Sequence, residues 1–595
     1  MIRVAAPALR LLAAFCSIAV AACASSQTSP ESVRQAAPPT FTLSIVGTND
    51  LHGGIFERDG RGGLALFGGY VRNLRAARDH DGGAVLLIDA GDMFQGTLES
   101  NLTEGVPVVA AYNALGYVAA AVGNHEFDFG PVGPASTPVR PSDDPRGALK
   151  ARAAEAKFPF LAANLLDNQS RRPVDWPNVR PSALVAVKGT TVGIIGVLTS
   201  EALTATIAAN VGGLTIAPLA PVIEQEARAL RAKGATVVIV TAHAGGRCTV
   251  FTNPEELSSC DPAGEIFGVV RSLPRGTVDM IVAGHSHAGV AHYVEGVPVI
   301  AAYSAGRAFG RVDLTIDRAA RKVLASRIFA PRDLCARENP ATHACDASSL
   351  AAASAPAEYE GKPVIADSEI ASILAPALQQ VRGLKSRALG ITLETPVRRQ
   401  GFDSPLGNLF TDAILASVPG ADVALHNVSG GLRADLPAGP LTYGSVYEVM
   451  PFDNRVVTIR VSGADLEQIF ARQLAQSRRV LGVSGVRVRA RCAGSVPEVS
   501  LERPSGAQVR DDESLLVVTS DFLVTGGDEV LTAVIPPGGI RIPADSPLSR
   551  DVLAEYLSRR AGSLREDQLV DKARPRIAVE GALPLKCAAQ PVSAR

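Results

Sequence analysis

The run Val85 to Gly96, VLLIDAGDMFQG, constrains the fold of this chain more than any other stretch. Its apolar start, Val85 to Ile88, reads as a buried strand, and Ala90 and Gly91 leave room for a tight turn. A carboxylate, Asp92, then stands at the strand's C-terminal end, where α/β sheets bind their ligands. Four further stretches repeat the arrangement. FTLSIVGTND runs into Asp50, with His52 just beyond. YVAAAVGNHEFD ends in Asn124, His125 and Asp128. ATVVIVTAHAGG ends at His243, and VDMIVAGHSHAG at His285 and His287. Helical patterns over Leu64–Ala77, Val106–Leu115 and Leu219–Lys233 lie between them. A short strand is expected over Phe158–Asn164, a hairpin turning at Gly189, and closing strands over Val297–Tyr303 and Val312–Ile316. Alternation of strand and helix predicts an α/β fold built in layers.

The strand-end residues form one chemical set. Asp50, His52, Asp92, Asn124, His243, His285 and His287 are carboxylate, amide and imidazole donors of the kind a divalent transition metal takes. Seven converging side chains are too many for one tetrahedral ion and suit two ions sharing a carboxylate, with Asp92 as the bridge. A single histidine is more often structural than a ligand. Here five of the nine histidines fall in these motifs. The others, His80, His292, His343 and His426, read as structural or surface residues.

The first 23 residues read as a targeting segment. Arg3 and Arg10 precede the apolar LLAAFCSIAV, which is too short to span a bilayer as a mature helix. Ala21 and Ala22 before Cys23 resemble a bacterial lipoprotein cleavage signal, which implies lipidation of Cys23. The polar residues 24–40 would be a flexible tether. Ala24, in the place where Asp usually retains lipoproteins at the inner membrane, implies outer-membrane attachment at the periplasmic face of the envelope. Beyond Cys16 and Cys23, six cysteines remain, an even count that suits disulfides in an exported chain. Their spacing favours Cys248–Cys260, Cys335–Cys345 and Cys492–Cys587, one of 15 possible connectivities. No CxxC spacing supports a zinc cluster. A net charge of −1 gives no global argument for a nucleic-acid polymer or an anionic membrane surface as partner, and no protein partner is inferred.

At 595 residues the chain exceeds a single core. The expected division is a catalytic domain over 41–331, a linker and hinge helix over 332–389 with the helix at Ile365–Leu389, and a second α/β domain over 390–590. No internal repeat is present.

The ordered motifs D-x-H, GD, GNHE, H and GHxH resemble the calcineurin-like metallophosphoesterases, and more closely the exported bacterial 5′-nucleotidases. The resemblance implies an N-terminal α/β/β/α sandwich and a C-terminal α/β substrate-binding domain. It implies two divalent ions, manganese, zinc or similar. Asp50, His52, Asp92 and His287 would hold one; Asp92, Asn124, His243 and His285 would hold the other. His287 stands where some members have Gln. His125 and Asp128 match the catalytic pair. The C-terminal motifs DSPLGNLFTDA, NVSGGLRADL, VMPFDN and TSDFLVTGGDEV follow in family order. They imply substrate contacts from Asn427, Gly431, Arg433 and Phe452, with Arg398 or Arg399 as a second phosphate contact. Arg433 can grip a phosphate bidentately and Phe452 can stack on a flat base. Two departures stand out. Asn427 lies one residue further from Arg433 than in the usual Asn-x-Gly-Gly-x-Arg, and Glu529 and Val530 replace the aromatic that commonly follows GGD. The implied activity is hydrolysis of nucleoside 5′-monophosphates for nucleotide salvage. The alternatives are hydrolysis of 2′,3′-cyclic nucleotides, UDP-sugars or sulfur esters on the same scaffold, and a surface-binding lipoprotein without turnover.

Overall fold

The computed structural model describes residues 40–587 apart from 346–353, 402, 477–480, 536–539, 541, 544 and 561. The targeting segment, Cys23 and the tether up to residue 39 lie outside the described residues.

Two sheets stack face to face. In the first, of seven strands, Thr40–Thr48, Ala84–Asp89, Tyr117–Ala121, Phe160–Leu161 and Val179–Arg180 run parallel in that spatial order. Ala308–Asp317 and then Lys322–Asp333 extend its other edge antiparallel. In the second, of six strands, Val297–Ala302, Met280–Ala283, Val237–His243 and Thr190–Leu198 are parallel neighbours, flanked by antiparallel Gly289–Val294 and Ser182–Val187. Leu43, Ile45, Leu86 and Ile88 of one sheet meet Ile194, Ile239, Met280 and Ile300 of the other in one buried layer. Helices Leu64–His80 and Val106–Leu115 cover the outer face of the first sheet, and Leu219–Ala232 and Glu265–Ser272 that of the second. The result is the expected α/β/β/α sandwich. Its central strands are buried on both faces, so they read as continuous apolar runs rather than alternating ones.

The C-terminal region has a four-stranded sheet in the order Val456–Ser462, Ser514–Ser520, Val423–Asn427 and Leu481–Ser484. Helices Pro405–Ser417 and Gly463–Gln476 accompany it. The hinge helix is shorter than its apolar pattern predicts, running Ser368–Lys385 with Asp367 capping its first turn. It stops because Ala388–Leu393 is drawn into a sheet between Gly439–Thr442 and Gly562–Leu564. Within the expected linker, the short strands Glu358–Tyr359 and Lys362–Pro363 pair, and Asn73 donates to the carbonyls of Tyr359, Lys362 and Pro363. This segment is therefore fastened to the catalytic sandwich. All three expected disulfides, Cys248–Cys260, Cys335–Cys345 and Cys492–Cys587, are formed. Each short loop they close gains about 3 kcal/mol in the chain-entropy model. Among the described residues no helix is long and apolar enough to cross a membrane.

Candidate active site

Parallel pairing brings the strand ends into one place. Past the first two strands the chains stay hydrogen-bonded: Asp50 N donates to Gly91 O, His52 N to Asp92 O and Gly53 N to Met93 O, at 2.9–3.0 Å. This sets Asp50 and His52 beside Asp92. Five of the seven expected ligands, Asp50, His52, Asp92, His285 and His287, have φ between 47° and 71°. Non-glycine residues rarely occupy that region, and such strain collects at functional sites. Glycines let the turns approach one another. A Cβ on Gly123 would lie 2.2 Å from Asp92 Oδ1, and one on Gly91 would lie 2.9 Å from His243 Nδ1.

The donors face inward in two overlapping groups, Asp50, His52, Asp92 and His287, and Asp92, His243 and His285. Asp92 belongs to both. Its Oδ1 accepts from His125 N at 2.9 Å, while its buried Oδ2 has no hydrogen-bond partner. That Oδ2 lies 3.2 Å from His243 Nε2 and 3.7 Å from His52 Nε2. His52 Nε2 and His287 Nε2 stand 2.8 Å apart, and His287 Nε2 lies 3.5 Å from Asp50 Oδ1. On the other side Asn124 Oδ1 lies 2.9 Å from His243 Nε2, and His285 Nδ1 lies 3.2 Å from it. A buried carboxylate oxygen between imidazole nitrogens turned toward each other fits a pair of cations. The orienting contacts agree. His52 Nδ1 donates to Gln95 O at 2.8 Å, leaving Nε2 as the ligating atom, and Asn124 Nδ2 donates to Ala205 O at 2.9 Å, aiming Oδ1 inward.

His243 Nδ1 is 2.8 Å from the Ala90 carbonyl, while its Nε2 faces Asn124 Oδ1 and Asp92 Oδ2. Both nitrogens thus point at acceptors, which suits an imidazolium. Burial opposes that charge, but the Asp92 carboxylate outweighs it and pushes the pKa up to about 10. Burial pushes His52 down to about 3 and lowers His287, so these two stand neutral and ready to ligate. At pH 7 metal uptake must therefore expel the His243 proton, and metal affinity should rise as pH rises toward about 10. Calorimetric titration of the apoprotein with manganese at pH 7, in buffers of differing ionisation enthalpy, should show release of about one proton or more. Buffer-independent heats would rule out the protonated His243.

His125 and Asp128 also meet. His125 Nδ1 donates to Asp128 Oδ2 at 2.6 Å, and Thr206 Oγ1 donates to Asp128 Oδ1 at 2.8 Å. Arg433 Nη2 reaches His125 Nε2 at 2.8 Å and its guanidinium lies 5.1 Å from the Phe452 ring centre, itself 5.6 Å from the His125 ring. The C-terminal region thus delivers Arg433 to the His125–Asp128 pair. Further contacts dock it there: Gln95 Nε2 donates to Pro451 O, and Asn101 Nδ2 to Tyr447 OH, both at 2.9 Å.

Between these walls lies a cavity of about 660 Å³, lined by Asp92, Asn124, His125 and His285 on one side and by Asn427, Gly431, Arg433 and Phe452 on the other. Arg399 is not part of the lining. Its Nη1 donates to Leu432 O at 3.0 Å, which braces the turn that presents Arg433. His426 is buried beneath that turn and His292 beside the Cys248–Cys260 disulfide, both outside the lining.

Sequence reasoning overlooked Glu126. Its carboxylate accepts from Asp92 N, Met93 N and Gly123 N at 2.7–2.9 Å, pinning the Asp92 and Asn124 turns together. Burial, with Asp92 nearby, raises its pKa to about 7. The signal was its place inside GNHEFD: an acid in an otherwise buried turn needs donors. Asn49 was overlooked too. Its Nδ2 donates to Asp50 Oδ2 and Tyr303 O, both at 2.7 Å, and so orients a ligand carboxylate.

Two family models match the chain: calcineurin-like phosphoesterase over residues 43–289, and the 5′-nucleotidase C-terminal domain over residues 387–534. Protein UshA of Yersinia enterocolitica is 26% identical over 516 residues, covering 82% of this chain and 86% of that protein. Endonuclease YhcR of Bacillus subtilis is 25% identical over 551 residues, covering 88% of this chain; the chain spans 40% of that relative's length. The crystal structure of a 5′-nucleotidase precursor from Thermus thermophilus aligns with a TM-score of 0.69 at 26% identity, covering 91% of this chain and 99% of that one.

Proposed function

This chain belongs to the 5′-nucleotidase family of calcineurin-like metallophosphoesterases, and from that premise we propose that it hydrolyses nucleoside 5′-monophosphates to nucleoside and phosphate. The single observation that supports this best is the meeting of Arg433 with His125 beside Asp92, which puts a phosphate-gripping cation from one region on the catalytic pair of the other. Two divalent ions at the Asp50/His52/Asp92/His287 and Asp92/Asn124/His243/His285 groups would lower the pKa of bound water toward about 7 and stabilise an in-line displacement at phosphorus.

The chain's own residues supply the rest. A phosphoryl group entering the cavity would take the donors of Arg433, which now occupy His125 Nε2. Nε2 would then be free to hold a proton against a phosphoryl oxygen or the leaving oxygen. Asp128, fixed by Thr206, keeps the imidazole oriented and favours its protonated form. Phe452 lies under Arg433 and offers a ring to the substrate. Asn427 and Gly431 contribute the polar backbone-rich wall opposite the ligands. The complete donor set argues against a binder without turnover.

We further propose that residues 1–23 direct export, that Cys23 is lipidated, and that the enzyme faces the periplasm from the outer membrane. Loss of detergent-phase partitioning in a Cys23→Ser variant checks the anchor. A substrate panel checks the activity. With added manganese or zinc, AMP should be turned over at least about tenfold better, by kcat/KM, than UDP-glucose, 2′,3′-cyclic AMP or a thiosulfate ester. No turnover of any phosphoester with either metal would overturn the hydrolase reading.

A further inference from the structure

The stretch VLLIDAGDMFQG ends in Gln95 and Gly96, which stand outside both donor groups and outside the lining of the main cavity. Both wrap the ligand His52. Its Nδ1 donates to Gln95 O at 2.8 Å, and a Cβ on Gly96 would lie 2.4 Å from His52 O and 2.8 Å from His52 Cβ. Thr97 Oγ1 then donates to Gly53 O at 2.7 Å. The backbone of residues 95–97 is thus locked to the turn that carries His52.

The Gln95 side chain reaches the other way, to the C-terminal region. It is 2% exposed, and its Nε2 donates to Pro451 O at 2.9 Å. Asn101 Nδ2 donates to the same oxygen at 3.0 Å, while Asn101 Oδ1 accepts from Gly96 N at 2.9 Å. Two amide donors from the catalytic sandwich so converge on one carbonyl and use both of its lone pairs. That carbonyl belongs to the segment 449–453, which carries the substrate wall. Phe452 follows Pro451, and Val449 O accepts from Arg433 N at 2.8 Å. Buried Arg550 holds the segment from its own side, donating from Nη1 to Phe452 O at 3.0 Å and from Nη2 to Asp453 Oδ1 at 2.8 Å. The segment is therefore clamped between Arg550 behind and Gln95 in front. With Asp128 and Phe452, Gln95 also borders a second cavity of only about 20 Å³, so the two regions meet closely here.

We infer that Gln95 is a positioning residue: from one backbone position it holds the metal ligand His52 on one side and the wall of Phe452 and Arg433 on the other, and so sets the distance between them. Its carbonyl orients the imidazole, its amide grips Pro451, and the wall cannot shift without breaking a buried hydrogen bond. Placement of this kind matters because a misplacement of about 1 Å can cost a reaction about 10²-fold.

The test uses the metal-loaded full chain with Gln95→Leu, which keeps bulk, and Gln95→Glu, which keeps shape but offers Pro451 O no donor when ionised. Asn101 stays on Pro451 O and residue 95 keeps its own carbonyl on His52, so both variants should fold and hold wild-type amounts of metal. Hydrogen exchange without substrate, followed by mass spectrometry, should speed up about fivefold to tenfold in both variants over residues 447–454 and stay unchanged over 50–54 and 121–126. KM for AMP should rise by about the same factor, with kcat changed less than about threefold. The kinetic half rests on the nucleotide reading given above; the exchange half does not. Unchanged exchange over 447–454 would overturn the positioning role, and so would a wild-type KM. Loss of metal, or faster exchange over all three stretches, would mark a merely structural role and overturn it too. Wild-type protein that turns over p-nitrophenyl phosphate but not AMP would overturn the nucleotide reading, and the exchange result would then decide the role of Gln95.

Discussion

Asp92→Asn is expected to lose about 10³-fold or more in kcat/KM for any phosphate ester, with bound metal falling from two ions per chain to one or fewer. The reason lies in how the two carboxylate oxygens are used. Oδ1 accepts from His125 N, which ties Asp92 to the His125–Asp128 pair. An asparagine can keep that bond with its carbonyl. Its amide nitrogen must then replace Oδ2, the buried atom between His243 and His52. An NH₂ there brings two protons to a place built for cations and cannot ligate. The fold should survive, because the surrounding strands and the Glu126 contacts to Asp92 N, Met93 N and Gly123 N do not depend on the Asp92 side chain. Elemental analysis and circular dichroism alongside kinetics separate loss of metal from loss of fold. A variant with two ions and full activity would refute the bridging role.

The convergence of these side chains was legible because of how parallel sheets are made. Each ligand follows an apolar run, and parallel pairing puts the C-terminal ends of those runs side by side, so local sequence foretold a distant convergence. Glu126 was not legible in the same way. Its partners are the backbone groups of Asp92 and Met93, more than thirty residues away, and no side-chain pattern marks a backbone donor. Helix Ser368–Lys385 shows the contest directly. Its apolar pattern continues toward Leu389, but the strand Ala388–Leu393, paired with Gly439–Thr442 and Gly562–Leu564, wins those residues for a sheet. Lys322–Asp333 escaped notice for a simpler reason: it is a largely solvated edge strand without a buried alternation.

His125→Ala is expected to lower kcat by about 10²–10⁴-fold while changing KM by much less. The geometry separates it from the ligands: its Nδ1 is engaged by Asp128, and its Nε2 is reached by Arg433 rather than by a ligand nitrogen. Metal content should therefore stay at the wild-type level, unlike in Asp92→Asn. The pH profile carries the sharper prediction. Burial disfavours the imidazolium, but the Asp128 and Asp92 carboxylates outweigh it and raise the pKa of His125. A group that acts in its protonated form loses activity as pH rises through its raised pKa, so the wild-type enzyme should show a falling alkaline limb that His125→Ala lacks. Asp128→Asn removes the nearer carboxylate and should move that limb to lower pH while leaving the imidazole in place. Arg433 opposes protonation while it sits on Nε2, and a substrate phosphoryl group that draws the guanidinium away removes the opposition. The limb should therefore lie at higher pH in kcat, which reports the complex, than in kcat/KM, which reports the free enzyme. Identical limbs in both would mean that Arg433 stays on His125 throughout turnover.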